Sequence, residues 1–156
     1  MLTVTTANVK AKIFQQFLET NQINCFSVQE AADEAHTVIF RTQLEVGGQQ
    51  LPVMLITDAS LYTLLQVRVA SAAVKGANGP ALQDYVNTLN RTYKAFKYYL
   101  SETNDLVLDS CLPAVPEQFE PQLVSLSLDI ILQHLTEEYP ALMRIIWAGE
   151  TAANPV

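Results

Sequence analysis

The spacing of hydrophobic positions along this chain changes several times, and each change marks an element. Over residues 6–20, Val9, Ile13 and Phe17 recur at i, i+4 and i+8, with Phe14 and Leu18 alongside. That is the stripe of an amphipathic helix, and Thr6 stands where an N-cap belongs. Asn21-Gln22 ends it. Phe26 and Val28 suggest a short strand, and Glu30, Asp33 and Glu34 an exposed acidic turn. From Thr37 the period becomes two. Val38, Phe40, Thr42, Leu44 and Val46 share one face, and Ile39, Arg41, Gln43 and Glu45 the other. Gly47-Gly48 supplies the positive φ angles of a tight hairpin turn. Residues 49–57 form the return strand. Pro52 near its start cannot donate to a ladder and so points to an edge there. After Asp58-Ala59-Ser60, residues 61–70 alternate again. Leu61, Thr63, Leu65, Val67 and Val69 oppose Tyr62, Leu64, Gln66 and Arg68.

Residues 71–79 read as a loop, and Pro80 suits the first position of a new helix. Leu82, Tyr85, Val86 and Leu89 follow as one apolar stripe. Phe96, Tyr98 and Leu100 alternate with Lys97 and Tyr99. Ser101 to Asn104 turn the chain into a further strand at Leu106, Val107 and Leu108. Pro113 and Pro116 bracket a linker. A final helix is expected from Pro121 to about Glu138, with Pro140 opening one or two more turns from Ala141 to Trp147. The order is α-βββ-α-ββ-α, an α+β domain with an antiparallel sheet packed with helices. A single domain is expected over residues 1–148, followed by a frayed tail at 149–156.

Two stretches carry more apolar surface than one sheet face can bury. Leu51-Pro52-Val53-Met54-Leu55-Ile56 is apolar throughout, where an exposed strand would alternate. The last helix has a narrow polar stripe of Ser125, Asp129 and Gln133. Neighbouring helices of a well-filled monomer, or a second subunit, would cover this surplus.

Composition narrows the class. Of the 156 residues 49% are hydrophobic and only 16% charged, which excludes disorder. A net charge of −7 disfavours nucleic acid and suits a basic or apolar protein segment. No apolar run of about 18 residues predicts a membrane span, and Met1-Leu2-Thr3 opens without a basic leader, so a cytoplasmic protein is expected. Cys25 and Cys111 are expected as free thiols, buried or half-buried.

Candidate chemistry is sparse. His36 and His134 have no metal-ligand spacing, and no paired cysteines suggest zinc. Ser127 and His134, one heptad apart, form a nominal nucleophile and base, but no orienting carboxylate accompanies them. Lys75-Gly76-Ala77-Asn78-Gly79 precedes a helix without a phosphate-loop pattern. Lys94 and Lys97 mix with Tyr93, Tyr98 and Tyr99 as in some single-strand binders. The acidic charge favours a tyrosine-rich face that contacts protein. No catalytic residue, cofactor or metal is expected, and the chain reads as a non-enzyme.

Leu89-Asn90, Lys97-Tyr98-Tyr99-Leu100 and Asp105-Leu106-Val107-Leu108, together with the strand Leu61 to Val69, carry a resemblance. Over roughly residues 7–138 the chain resembles the YbjN family, labelled bacterial sensory transduction regulators. In architecture it is similar to the type III secretion chaperone-like fold. The resemblance implies a cytoplasmic bacterial homodimer that binds another protein, as a chaperone or regulator, without nucleic acid or membrane. It nominates Leu82, Tyr85, Val86, Leu89 and Tyr98 as the dimer or partner contact. The alternative is a small-molecule sensor with a pocket between sheet and long helix, offering Tyr62, Arg68 or His134 as polar contacts.

Overall fold

A computed structural model describes residues 7–153, with side chains through residue 148. Helix α1 spans Val9–Thr20 and is capped by Asn8, whose side chain accepts from the Ala11 N–H at 2.9 Å. Thr6, the expected cap, lies outside the described residues. The buried apolar stripe of α1 is Ala11, Phe14 and Leu18, while Val9, Ile13 and Phe17 are half-buried. Phe14 sets the rotation of the helix. Its ring meets Phe40 edge-on at 4.8 Å and Phe26 at 5.4 Å.

Six strands among the described residues form one antiparallel sheet. They are β1 (Ser27–Glu30), β2 (Val38–Val46), β3 (Gln49–Thr57), β4 (Thr63–Ala70), β5 (Lys97–Leu100) and β6 (Leu106–Cys111). The spatial order is β1-β2-β3-β4-β6-β5. Helix α2 (Gly79–Thr92) connects β4 to β5, and α3 (Gln122–Ala153) closes the chain. The first half is therefore a four-stranded meander rather than a three-stranded one. β1 is only four residues long and turns a single apolar side chain, Val28, toward the core, which leaves little period to detect. Gly47 and Gly48 join β2 to β3 with φ of 56° and 77°, as their sequence requires.

β3 is internal, paired with β2 along its length and with β4 from Val53 onward. Pro52 sits just past the end of the β4 ladder, so its missing N–H costs no bond there. β4 begins at Thr63, two residues later than the alternation suggests. The Asp58 carboxylate accepts from the Ser60 N–H and holds the chain in a turn that leaves Leu61 and Tyr62 exposed.

Cross-strand register sorts the side chains into two faces. Thr42, Val53, Val67, Leu108 and Tyr98 form one row of the inner face. Arg41, Met54, Gln66, Asp109 and Lys97 form the adjacent row of the outer face. The main core lies on the inner side, where Phe14 of α1, Leu82 and Val86 of α2, and Ile131 and Leu135 of α3 meet Phe40, Leu55, Leu65 and Leu108; on the outer face Val107 is buried as well. Each such side chain contributes about 1.5–3 kcal/mol by leaving water. Ile39, Met54, Ile56 and Leu64 on the outer face are half-buried and take no part in this core. The second face of residues 51–56 is thus not covered by the helices of this chain.

Pro140 does not interrupt α3, which runs 32 residues to Ala153. Pro140 is exposed, so the Thr136 carbonyl that loses its partner can turn to water. Residues 149–153, expected as a frayed tail, continue the helix, since no further proline breaks it before Ala153. Residues 154–156 lie outside the described residues.

The β5 edge is closed by a side chain. Asn90, in the last turns of α2, accepts the Tyr98 N–H at 2.8 Å and donates to the Tyr98 carbonyl at 3.1 Å. It occupies both backbone groups that Tyr98 would offer a seventh strand. The Lys97 ammonium donates to the Asn90 and Tyr93 carbonyls at 2.6 Å each, a cation on the free carbonyls of a helix C-terminus. Replacing Asn90 with alanine should lower stability by about 1–3 kcal/mol. Urea unfolding would show this as an earlier midpoint, accompanied by stronger light scattering as the edge opens. An unchanged midpoint and a non-associating variant would contradict the assignment.

Candidate functional site

With all three helices on one side, the outer sheet face is open. Its centre is a groove of about 450 Å³ whose lining includes Arg41, Pro52, Met54, Gln66, Arg68 and Tyr99, with the turn Ser101 to Asp105 as one wall. Among the described residues Arg41 reaches neutral acceptors, the Met54 sulfur at 2.9 Å and the Gln29 side-chain amide oxygen at 3.3 Å. Arg68 lies 3.8 Å from the Asp105 carboxylate. Gln66 donates to the Tyr99 hydroxyl and to Asp109, both at 3.1 Å. Burial raises the Asp109 carboxyl above the usual carboxylate range, against the lowering effect of the Gln66 and Tyr99 hydrogen bonds.

A second open surface runs along the first half of α3. Leu123, Leu126 and Ile130 are 43%, 53% and 39% exposed and follow one another at i, i+3 and i+7. Val115 in the preceding linker is exposed as well. The narrow polar stripe in the sequence has this meaning: the solvent face of α3 is itself partly apolar. An apolar hollow of about 560 Å³ lies farther along, between α2 and α3, lined in part by Ala81, Tyr85, Ala141 and Ile145.

The residues nominated by resemblance mostly face inward. Leu82, Val86, Leu89 and Tyr98 are buried against their own chain. Their apolar stripe packs into the core of this chain. Tyr85 is half-exposed, and its hydroxyl donates to the Glu138 carboxylate. Burial, then that hydrogen bond, push the Tyr85 hydroxyl up to about 12.

Three other groupings come apart. Ser127 and His134 are not hydrogen-bonded, since seven helical residues separate them by about 10 Å. His134 Nε2 instead lies 2.7 Å from the Tyr98 hydroxyl. Tyr62, Arg68 and His134 fall in three places: an exposed turn, the outer face and the core. The space between sheet and α3 is filled by Leu55, Leu65, Leu108 and Leu135, all fully buried. The tyrosine-rich stretch splits likewise, with Tyr98 inside and Tyr99 on the outer face. Cys25 and Cys111 are free and exposed, not buried. Cys111 ends β6 on the open face, and Cys25 lies in the loop before β1. The Lys75 to Gly79 loop is closed on itself, with the Asn78 side chain accepting from the Lys75 N–H and donating to the Ala73 carbonyl.

Two polar devices have no pattern in the sequence. Lys10 lies on the buried side of α1, fully covered, with its ammonium donating to the Tyr62 carbonyl and 3.7 Å from Asp58. It pins α1 to the β3–β4 turn, and desolvation lowers its pKa against the opposing pull of Asp58. His134 is enclosed by Tyr93 and Phe96, ring centres 4.4 Å away, and by Tyr98 at 5.7 Å. Its Nδ1 has no hydrogen-bond partner among the described residues. No cluster of His, Cys, Asp or Glu among the described residues is able to hold a metal ion, and no helix among them is long and apolar enough to cross a membrane.

No family model matches the chain, and no curated protein matches it. Among the solved structures that match, that of the ExsC–ExsE complex aligns over 86% of this chain and 96% of the matched chain, at 14% identity and a TM-score of 0.48.

The His134 environment has a measurable consequence. Desolvation lowers its pKa below 6.5, only partly offset by Glu138 and Glu137. The unfolded chain therefore binds the proton more readily than the folded one. Stability from this group is complete above about pH 6.5 and falls as the pH drops from there toward the lowered folded value. Imidazole NMR should give a His134 midpoint below 6.5, with a parallel loss of melting temperature on acidification. A midpoint above 6.5 would contradict the buried, neutral assignment.

Proposed function

We propose that this chain is a non-catalytic protein-binding module, chaperone-like or regulatory, that acts as a homodimer. The observation that carries the reading is the one-sided packing. Three helices cover the inner sheet face, while the outer face and the α3 stripe of Leu123, Leu126 and Ile130 are left to solvent. A monomer gains nothing from apolar side chains held there, whereas a protein partner does. The resemblance to the YbjN family and to the type III secretion chaperone-like fold points the same way.

The dimer contact is assigned to α3 rather than to the buried stripe of α2. A helix stripe crossing its own copy makes an isologous contact, in which Leu126 and Ile130 meet the same residues of the second chain. The outer sheet face stays free for an extended partner segment. Multi-angle light scattering at micromolar concentration should give a dimer mass. The double substitution Leu126→Glu and Ile130→Glu should give a monomer with an unaltered circular dichroism spectrum, since both side chains lie outside the core. A wild-type monomer would contradict the dimer. A double variant that stays dimeric would place the contact elsewhere.

A further inference from the structure

We infer that the outer-face groove receives an extended peptide segment bearing two carboxylates four residues apart, with an apolar residue midway between them. The inference rests on the protein-binding reading and names the chemistry of the partner.

Charge is the first ground. A guanidinium is best satisfied by a carboxylate, in paired and parallel hydrogen bonds. Arg41 has a thioether and an amide instead. A thioether is a weak acceptor. This chain has 16 acidic residues, yet the ion pairs among the described residues are Lys10 with Asp58 and Arg68 with Asp105. Arg41 faces none. The Arg68 pairing is loose, at 3.8 Å with the arginine half in solvent, and Asp105 also accepts from the Ala72 N–H and the Thr103 hydroxyl. Two further carboxyls share this face: Asp109 is engaged by Gln66, and Glu45 lies toward the end of β2, outside the groove lining. The groove thus shows positive charge inside a protein of net charge −7. A basic segment, which the whole-chain charge favours, would meet two guanidinium groups here.

Geometry is the second ground. Arg41 and Arg68 share the outer face, two strands apart and offset by two residues along them. Strand spacing and rise place them about 12 Å apart. An extended peptide advances about 13 Å over four residues and sets i, i+2 and i+4 on one face. The line between the arginines crosses β3 between Met54 and Pro52, which suits an apolar side chain at i+2. The groove is a half-open trough on the sheet face, walled on one side by the turn Ser101 to Asp105, and the span between its two arginines matches that of an extended chain segment.

The test is fluorescence anisotropy with the full chain and a labelled peptide, Gly-Ser-Glu-Thr-Val-Thr-Glu-Ser-Gly. Two controls replace both glutamates by glutamine or by lysine. Saturable binding is expected for the glutamate peptide alone, weakening with salt. It should weaken about tenfold in Arg41→Gln and again in Arg68→Gln. Melting curves of both variants should match the wild type, since neither side chain is in the core. Equal binding of the control peptides, or glutamate binding unmoved by both substitutions, would overturn the groove assignment. Failure of all three peptides with a chain that is dimeric through α3 would also overturn it and leave the protein-binding reading standing. The same failure with a strictly monomeric chain would overturn both.

Discussion

Burial of one sheet face under three helices is the constraint from which the rest of this structure follows. The inner residues Phe40, Leu55, Leu65 and Leu108 are removed from water by Phe14, Leu82, Ile131 and Leu135. That single interface supplies the hydrophobic stabilisation. It also fixes which residues are free to act. Period two along a strand is strict, so once Val53 and Leu55 point inward, Pro52, Met54 and Ile56 must point outward. The apolar character of those outer positions is then not a core requirement, and a partner is the physical use that remains for it.

Polar side chains secure the margins of this interface. Asn90 takes the place of a strand at the β5 edge, and Lys97 closes the end of α2 beside it. Lys10 ties the start of α1 to the turn before β4. His134 is held through Tyr98 in an aromatic enclosure. A buried lysine and a buried histidine are costly unless partnered, and each of these reaches a group on another element. The Leu89-Asn90 and Lys97-Tyr98 sequences acquire a mechanical meaning here. Leu89 is core, and Asn90, Lys97 and Tyr98 together seal the sheet edge.

Much of the fold was legible in the sequence because its strands alternate cleanly. β2 and β3 appear with the expected bounds, their glycine turn intact, and α2 shows the Leu82, Val86, Leu89 face that periodicity assigns. Local pattern could not place what depends on neighbours in space. β1 is too short to show a period. Pro140 is read as a break unless its exposure is known. The insertion of β6 between β4 and β5 is a tertiary choice. The candidate site was less legible for the same reason. An apolar stripe such as Leu82 to Leu89 looks alike whether it meets its own sheet or a second chain. Arg41 and Arg68 lie 27 positions apart and become neighbours on one face only through the register of three strands.

The outer sheet face is uncovered, and two methionines test this within one molecule. Met54 lies on that face, half-buried, and Met143 is buried in the core. Brief exposure of the native protein to hydrogen peroxide, read by peptide mass spectrometry, should convert Met54 to its sulfoxide while Met143 stays reduced. Protection of Met54 to the same degree as Met143 would show the face covered in solution and contradict the account.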